Sequence, residues 1–209
     1  MLKVNNLSCG ILKQVSFSVE HGTCTAICGP SGSGKTTLLN AIVGNIHYQG
    51  SISIADQCMD TLPIWQRPCR YLNQRLYLFP YLTIENNLRL AQYAAKQPQD
   101  WQKRRDLLQL LEIEHLAKRY PSQISGREQQ RAALARALIS QPRLLLLDEP
   151  FSSLDWSVRL RLWQALKTIQ SEFSVTLLLV SHEPKEVEAL ARQHLAIDDG
   201  RLLAVTTNG

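Results

Sequence analysis

Residues 29–37 read Gly29-Pro30-Ser31-Gly32-Ser33-Gly34-Lys35-Thr36-Thr37 and satisfy the pattern G-x-x-x-x-G-K-[ST]. Glycines at these places let the backbone wrap so that several N–H groups point inward at phosphate oxygens. A helix that starts at the end of the loop adds the positive end of its dipole. Lys35 then reaches the β- and γ-phosphates, and the Thr36 hydroxyl is placed for Mg²⁺. Both flanks suit that geometry. A strand-like stretch, Thr23 to Cys28, leads in, and a helix-like Leu38-Leu39-Asn40-Ala41-Ile42-Val43 leads out. A Gly/Ser-rich turn matching by chance would not have both flanks, so the segment implies nucleotide binding.

A second set of residues could act on what the loop holds. Leu144-Leu145-Leu146-Leu147 is an apolar run ending in Asp148-Glu149-Pro150. A carboxylate ending a buried strand beside a phosphate loop can hold Mg²⁺ through water, the role for Asp148. Glu149 would be the general base that orients and polarises an attacking water. Solvated acids capping a strand are the bland alternative. His182 follows another apolar run, Val175 to Val180, and could donate a hydrogen bond to a γ-phosphate; a lone histidine is more often structural. Gln74 also ends a strand-like stretch and could contact Mg²⁺ or the water, although a glutamine alone proves nothing. Finally, Ser125-Gly126-Arg127-Glu128 opens an Ala/Leu/Arg-rich segment. Ser125 and Glu128 form the S-x-x-E pattern of a capping box, an ordinary helix start. The Ser125 hydroxyl and Gly126 N–H at that helix start also make an anion site.

The elements around these residues read as an α/β fold. Ile11 to Val19 and Thr23 to Cys28 are short apolar stretches, Gly50 to Ile54 alternates with period two, and Tyr71 to Gln74 is a further short strand. From Glu85 to about Ser140 the spacing turns helical. The runs at 144–147 and 175–180 then suit parallel strands buried on both faces. The expectation is a P-loop NTPase (RecA-like) core with a mixed sheet, built from 1–84 and 141–209, with a helical subdomain inserted at 85–140. A chain of 209 residues with 44% hydrophobic content can bury such a core. No apolar run approaches the roughly 20 residues of a membrane span, and the N-terminus lacks the apolar core of a signal peptide. The five cysteines form no C-x-x-C pair; Cys24 and Cys28 read as buried apolar residues. A net charge of +5 permits contact with anionic surfaces and is too mild to argue for nucleic acid.

Together these segments resemble, in order, an ATP-binding cassette (ABC) transporter ATPase subunit. Gly29–Thr36 matches its Walker A, Gln74 its Q-loop, Ser125–Arg131 its signature, Leu144–Pro150 its Walker B, Ser152–Asp155 its D-loop and His182 its H-loop. The stretch from Gln74 to Leu88 and the Leu116–Gln123 stretch are similar to the importer branch. The resemblance implies ATP and Mg²⁺ as cofactors and ATP hydrolysis coupled to small-solute import, with an exporter-type or a soluble regulatory module as alternatives. It implies a head-to-tail dimer in which each ATP lies between the phosphate loop of one subunit and Ser125 and Gly126 of the other. It further implies integral membrane permease subunits as partners, a solute-binding protein reached through the permease, and a position on the cytoplasmic face of the membrane. The segment from Arg75 to Thr83 would dock on the permease through Tyr77, Phe79 and Tyr81, local packing being the alternative for each.

Three departures from the family pattern stand out. Arg127 replaces the second glycine of L-S-G-G-Q and Glu128 its glutamine. Arg127 is expected to offset the charge of Glu128, with Glu128 folding back on Ser125. The segment Leu7 to Leu12 lacks the aromatic on which the family stacks adenine, leaving Ile11 or Leu12 to offer apolar contact. The sequence to Gly209 also leaves no room for the C-terminal regulatory domain of several importer ATPases.

Overall fold

The computed structural model describes residues 1–207 apart from Gln74 and Ser153. The chain folds as two units, one of residues 1–71, 143–149 and 167–209, the other of residues 72–142 and 150–166.

The first unit holds a six-stranded sheet and a four-stranded one. Strands β3 (Cys24–Cys28), β7 (Leu144–Asp148) and β8 (Thr176–Val180) pair in parallel as β3-β8-β7, and β6 (Cys69–Leu72) flanks β7. On the other side β9 (Gln193–Asp198) pairs in parallel with β3 and in antiparallel fashion with β10 (Arg201–Thr207). Every residue of β7 and β8 is buried, which is why both read as continuous apolar runs. Helix α1 (Lys35–Val43) follows β3 and turns five apolar residues inward, among them Leu38, Leu39 and Ile42. A buried guanidinium closes its far end. Arg67 donates to the α1 carbonyls of Ala41 and Ile42 at 3.1 and 2.8 Å, satisfying acceptors that a helix C-terminus leaves open.

The smaller sheet has the order β2-β1-β4-β5, with β1 Leu2–Cys9, β2 Leu12–Val19, β4 Gln49–Ile54 and β5 Gln57–Cys58. Strand β1 is absent from the sequence reading. Its apolar residues Leu2, Val4 and Leu7 are fully buried, but register shifts after Val4 and after Leu7, with Asn6 at φ 49°, break the period-two count. The expected strand at 71–74 lies two residues earlier, at Cys69–Leu72.

The second unit carries α2 (Ile84–Ala94), α3 (Trp101–Leu110) and α4 (Gly126–Ile139). It is larger than the 85–140 insertion expected, because residues 72–84 and 150–166 fold with it. Residues 150–166 include the start of α5 (Trp156–Phe173). Asn87, fully buried, shapes the turn before α2: its side chain accepts from Phe79 N at 2.8 Å and donates to the carbonyls of Phe79, Leu82 and Thr83. No described helix is long and apolar enough to cross a membrane.

Leu146 is fully exposed to the core and not at all to water, so Leu146→Ala should lower stability by about 2–5 kcal/mol. An unfolding free energy from chemical denaturation that falls by less than about 0.5 kcal/mol would show the β7 core to be less tightly packed than its burial indicates.

Candidate functional site

Parallel pairing brings three chain segments to one edge of the core sheet. Ile27 pairs with Val180 and Asp148 pairs with Val180, so β3, β7 and β8 end level with one another. Gly29, Glu149 and His182 therefore leave the sheet on the same side, the edge where open α/β sheets bind ligands. A cleft of about 210 Å³ forms there, lined by Ser31, Gly32, Lys35, Thr36, Asp148 and Glu149 among others.

The loop from Gly29 to Gly34 is shaped by close backbone approach. Gly29 has φ 151°, and a Cβ built on it would lie 2.0 Å from the Ile197 carbonyl oxygen of β9. Only glycine fits. Helix α1 then starts at Gly34, φ 107°, with no side-chain cap and no acidic residue in its first turn. Its first N–H groups thus keep their donors and positive dipole end for something outside the chain. Ser33 Oγ is buried with no hydrogen-bond partner. Lys35 Nζ donates to the carbonyls of Gly29 and Pro30 at 2.7 and 2.8 Å, so the ammonium is folded over the loop. An uncapped helix start, an orphaned hydroxyl and an ammonium in one loop fit a polyphosphate.

The metal candidates meet directly. Thr36 Oγ1 donates to Asp148 Oδ2 at 3.1 Å, joining the first turn of α1 to the end of β7. Among the described residues no three His, Cys, Asp or Glu side chains cluster as a self-sufficient metal site. A hydroxyl and one carboxylate still suit Mg²⁺, which keeps several waters and takes its other ligands from phosphate oxygens. Gln74, the third residue expected at the metal, lies outside the described residues. Tyr71, which the sequence reading did not single out, donates from its hydroxyl to the same Asp148 Oδ2 at 3.0 Å. The contact joins residues 77 positions apart, so no local signal announces it.

Glu149 sits just beyond β7 with φ 50°, a left-handed conformation that is unusual for a glutamate, and its N–H donates to Val180 O at 3.1 Å. Such a backbone is held by its surroundings and re-aims the side chain out of the strand's alternation. Its carboxylate lies 3.4 Å from His182 Nδ1. The structure thus brings the residues at 29–37, Asp148, Glu149 and His182 to one edge. Behind them Cys24 is fully buried and its thiol is pushed up to about 12 by burial, as expected of an apolar residue, whereas Cys28 is only half-buried.

Ser125 and Gly126 belong to the helical unit. Ser125 caps α4, and Glu128 accepts from both Ser125 N and Ser125 Oγ at 2.7 Å, a complete capping box. The Ser125 hydroxyl bond, reinforced by the backbone one, holds the Glu128 carboxyl below its ordinary range. The expectation for Arg127 needs correction. Its guanidinium pairs with Asp155, not with Glu128, whose charge the capping box already accommodates. Gly126 has nothing within 4 Å of an added Cβ. In the same unit Arg136 donates to Leu76 O at 2.8 Å and to Tyr77 O, and its guanidinium lies 5.7 Å from the Phe79 ring centre. The segment after Gln74 is therefore pinned by Arg136 and Asn87, while Tyr77, Phe79 and Tyr81 stay exposed, Tyr81 at 90%.

The ABC transporter family model matches residues 12–152. The chain belongs to the ABC transporter family. The spermidine/putrescine import ATP-binding protein PotA of Legionella pneumophila is 38% identical over 200 residues, 94% of this chain and 55% of that protein. The sulfate/thiosulfate import ATP-binding protein CysA of Nephroselmis olivacea is 40% identical over 194 residues, 91% of this chain and 57% of that one. The chain thus spans about half the length of the curated relatives it matches. Among solved structures, the dimeric ATP-binding cassette MJ0796 bound to ADP and Pi has 27% identity and a TM-score of 0.88, with both chains fully covered. The mixed sheet with its helical insertion is the ABC cassette fold, on a P-loop NTPase core.

Gly29→Ala should weaken nucleotide binding by at least about tenfold, since its Cβ cannot coexist with the Ile197 carbonyl and the loop must move. Gly32→Ala is the control: its φ of 80° is strained but a Cβ there meets nothing within 4 Å. Calorimetric affinities that fall equally in both variants would show that backbone strain, not the approach to β9, sets the loop.

Proposed function

We propose that the protein is the ATP-hydrolysing subunit of a membrane importer, working as a head-to-tail dimer. The observation that carries the reading is the edge of the core sheet where Lys35, Thr36, Asp148 and Glu149 line one cleft at an uncapped helix start, with His182 beside Glu149. The α1 N–H groups and Lys35 would bind the β- and γ-phosphates. Thr36 and Asp148 would hold Mg²⁺, which neutralises charge on the phosphate oxygens. Glu149 would accept a proton from the water that attacks the γ-phosphorus as ADP leaves, with His182 orienting the carboxylate. Gln74 would complete this set at the metal and the water.

The relatives carry the names of import ATP-binding proteins for spermidine/putrescine, sulfate/thiosulfate and Fe(3+) ions. Such different solutes among relatives that share this engine support import as the role, with solute choice left to other subunits in this reading. Dimeric cassettes among the structural neighbours support the dimer. Gly126 supports it too. Apart from its chain neighbours nothing lies within 4 Å of a Cβ built there, so that helix start is open to a group from outside, such as the phosphate of a partner's ATP. In this reading Ser125 and Gly126 face that ATP, and the Ser125 hydroxyl must exchange Glu128 for phosphate as the dimer closes. The exposed aromatics Tyr77, Phe79 and Tyr81, on a segment held in shape from behind, would dock on an integral membrane permease. That permease would in turn contact a solute-binding protein, and the subunit would lie on the cytoplasmic face of the membrane.

Glu149→Gln keeps the side chain's shape but cannot accept a proton. It should bind ATP normally, reduce turnover at least about a hundredfold, and accumulate as an ATP-dependent dimer. Size-exclusion chromatography showing only monomer with ATP and Mg²⁺ would refute the dimer. Tyr81→Asp should uncouple transport in the assembled complex while leaving hydrolysis by the isolated subunit within about twofold, because this side chain is 90% exposed. Parallel loss of both activities would remove the docking role.

A further inference from the structure

We propose that Tyr71 is a positioning residue for Mg²⁺: its hydroxyl fixes the Asp148 carboxylate independently of the cation. The proposal rests on the ATP-site reading above. Strand β6 lies beside β7 in the sheet, which puts Tyr71 next to the last residue of β7. The Tyr71 ring packs against the hydrophobic core of its unit, so its hydroxyl is delivered from a fixed wall and not from a loop.

Asp148 is 5% exposed, and a carboxylate so buried is costly unless hydrogen-bonded. Its Oδ2 receives two hydroxyl donors, Thr36 at 3.1 Å and Tyr71 at 3.0 Å. The two donors are not equivalent. Thr36 stands in the first turn of α1 and lines the cleft, where its hydroxyl oxygen would also have to serve the cation. Its geometry toward Asp148 therefore changes with the occupant of the site. Tyr71 comes from strand β6 of the sheet and is not among the residues that line the cleft. It supplies a bond that holds the Asp148 rotamer before the cation arrives and while it is present. Fixing an acceptor from behind is how a supporting residue sharpens metal affinity without touching the metal.

Removing only the hydroxyl tests this role. Tyr71→Phe keeps the packed ring, and thermal unfolding should confirm an intact fold. Binding of the non-hydrolysable analogue AMP-PNP is measured by calorimetry at a series of free Mg²⁺ concentrations and in excess EDTA. The Mg²⁺ concentration at half-effect should rise about three- to tenfold, the size of one hydrogen bond's net contribution, while affinity in EDTA stays within about twofold. In an Asp148→Asn background the same change should produce no further shift, because Tyr71 acts through that carboxylate. A Mg²⁺ midpoint unchanged within twofold overturns the proposal. So does an equal loss of affinity with and without Mg²⁺, which would make Tyr71 a packing residue only. Failure of the ATP-site reading is distinguishable, since the unsubstituted protein would then not bind the analogue at all.

Discussion

Three strands buried on both faces, β3, β8 and β7, set the geometry on which everything else in the core unit depends. Because they are parallel and in register, their ends fall on one edge, and each end delivers one functional segment. A slip of one residue in β7 would turn Asp148 to the other face of the sheet and carry Glu149 with it. The continuous leucines at 144–147 resist that slip only weakly, since both faces are apolar. Registry is instead pinned at the ends, where Glu149 N bonds to Val180 O and Asp148 is held by hydroxyls from α1 and β6. The polar residues that form the site are thus also what locks the apolar strands that carry it.

The helix starts of α1 and α4 solve the same problem in opposite ways. Helix α1 begins on a glycine with no cap, leaving its first N–H groups to a ligand. Helix α4 caps itself fully, with Ser125 and Glu128 satisfying each other. A glycine at the N-cap costs roughly a few tenths of a kcal/mol against Ser or Asp, a small loss for a phosphate site that needs the free donors. The capped helix is already satisfied, and any anion approaching Ser125 meets a carboxylate that is there first. The difference is written in sequence as Gly34 against Ser125-x-x-Glu128.

The buried parallel strands, the loop and the acids were legible because each has a local signature: an apolar run, a glycine spacing, a strand ending in Asp-Glu. Where the signature is local but broken, as in β1 with Asn6 in a left-handed conformation, the strand escaped the period-two reading. Strands β9 and β10 escaped for a related reason, since Gln193, His194 and the exposed side chains of β10 dilute their alternation. The contacts that position functional groups were not legible at all. Tyr71 on Asp148, Asn87 on the turn before α2 and Arg136 on Leu76 and Tyr77 are pairings of common residues set by tertiary packing. The sequence identifies which groups do chemistry more readily than which groups hold them still.

Arg127 illustrates how a charge change is absorbed. Read along the chain, Arg127 and Glu128 are neighbours and invite pairing. On a helix, adjacent residues point about 100° apart, so each finds another partner. Glu128 turns back to Ser125, and Arg127 reaches Asp155 at the start of α5 in the same unit. Both members of the Arg127–Asp155 pair are more than half exposed, at 54% and 58%, so the pair adds little to stability. Its effect is one of placement. The Glu128 carboxylate stays in the capping box, and the guanidinium is drawn to Asp155. The side chain that stands in place of the second glycine of the signature is thus tied to another segment of its own unit.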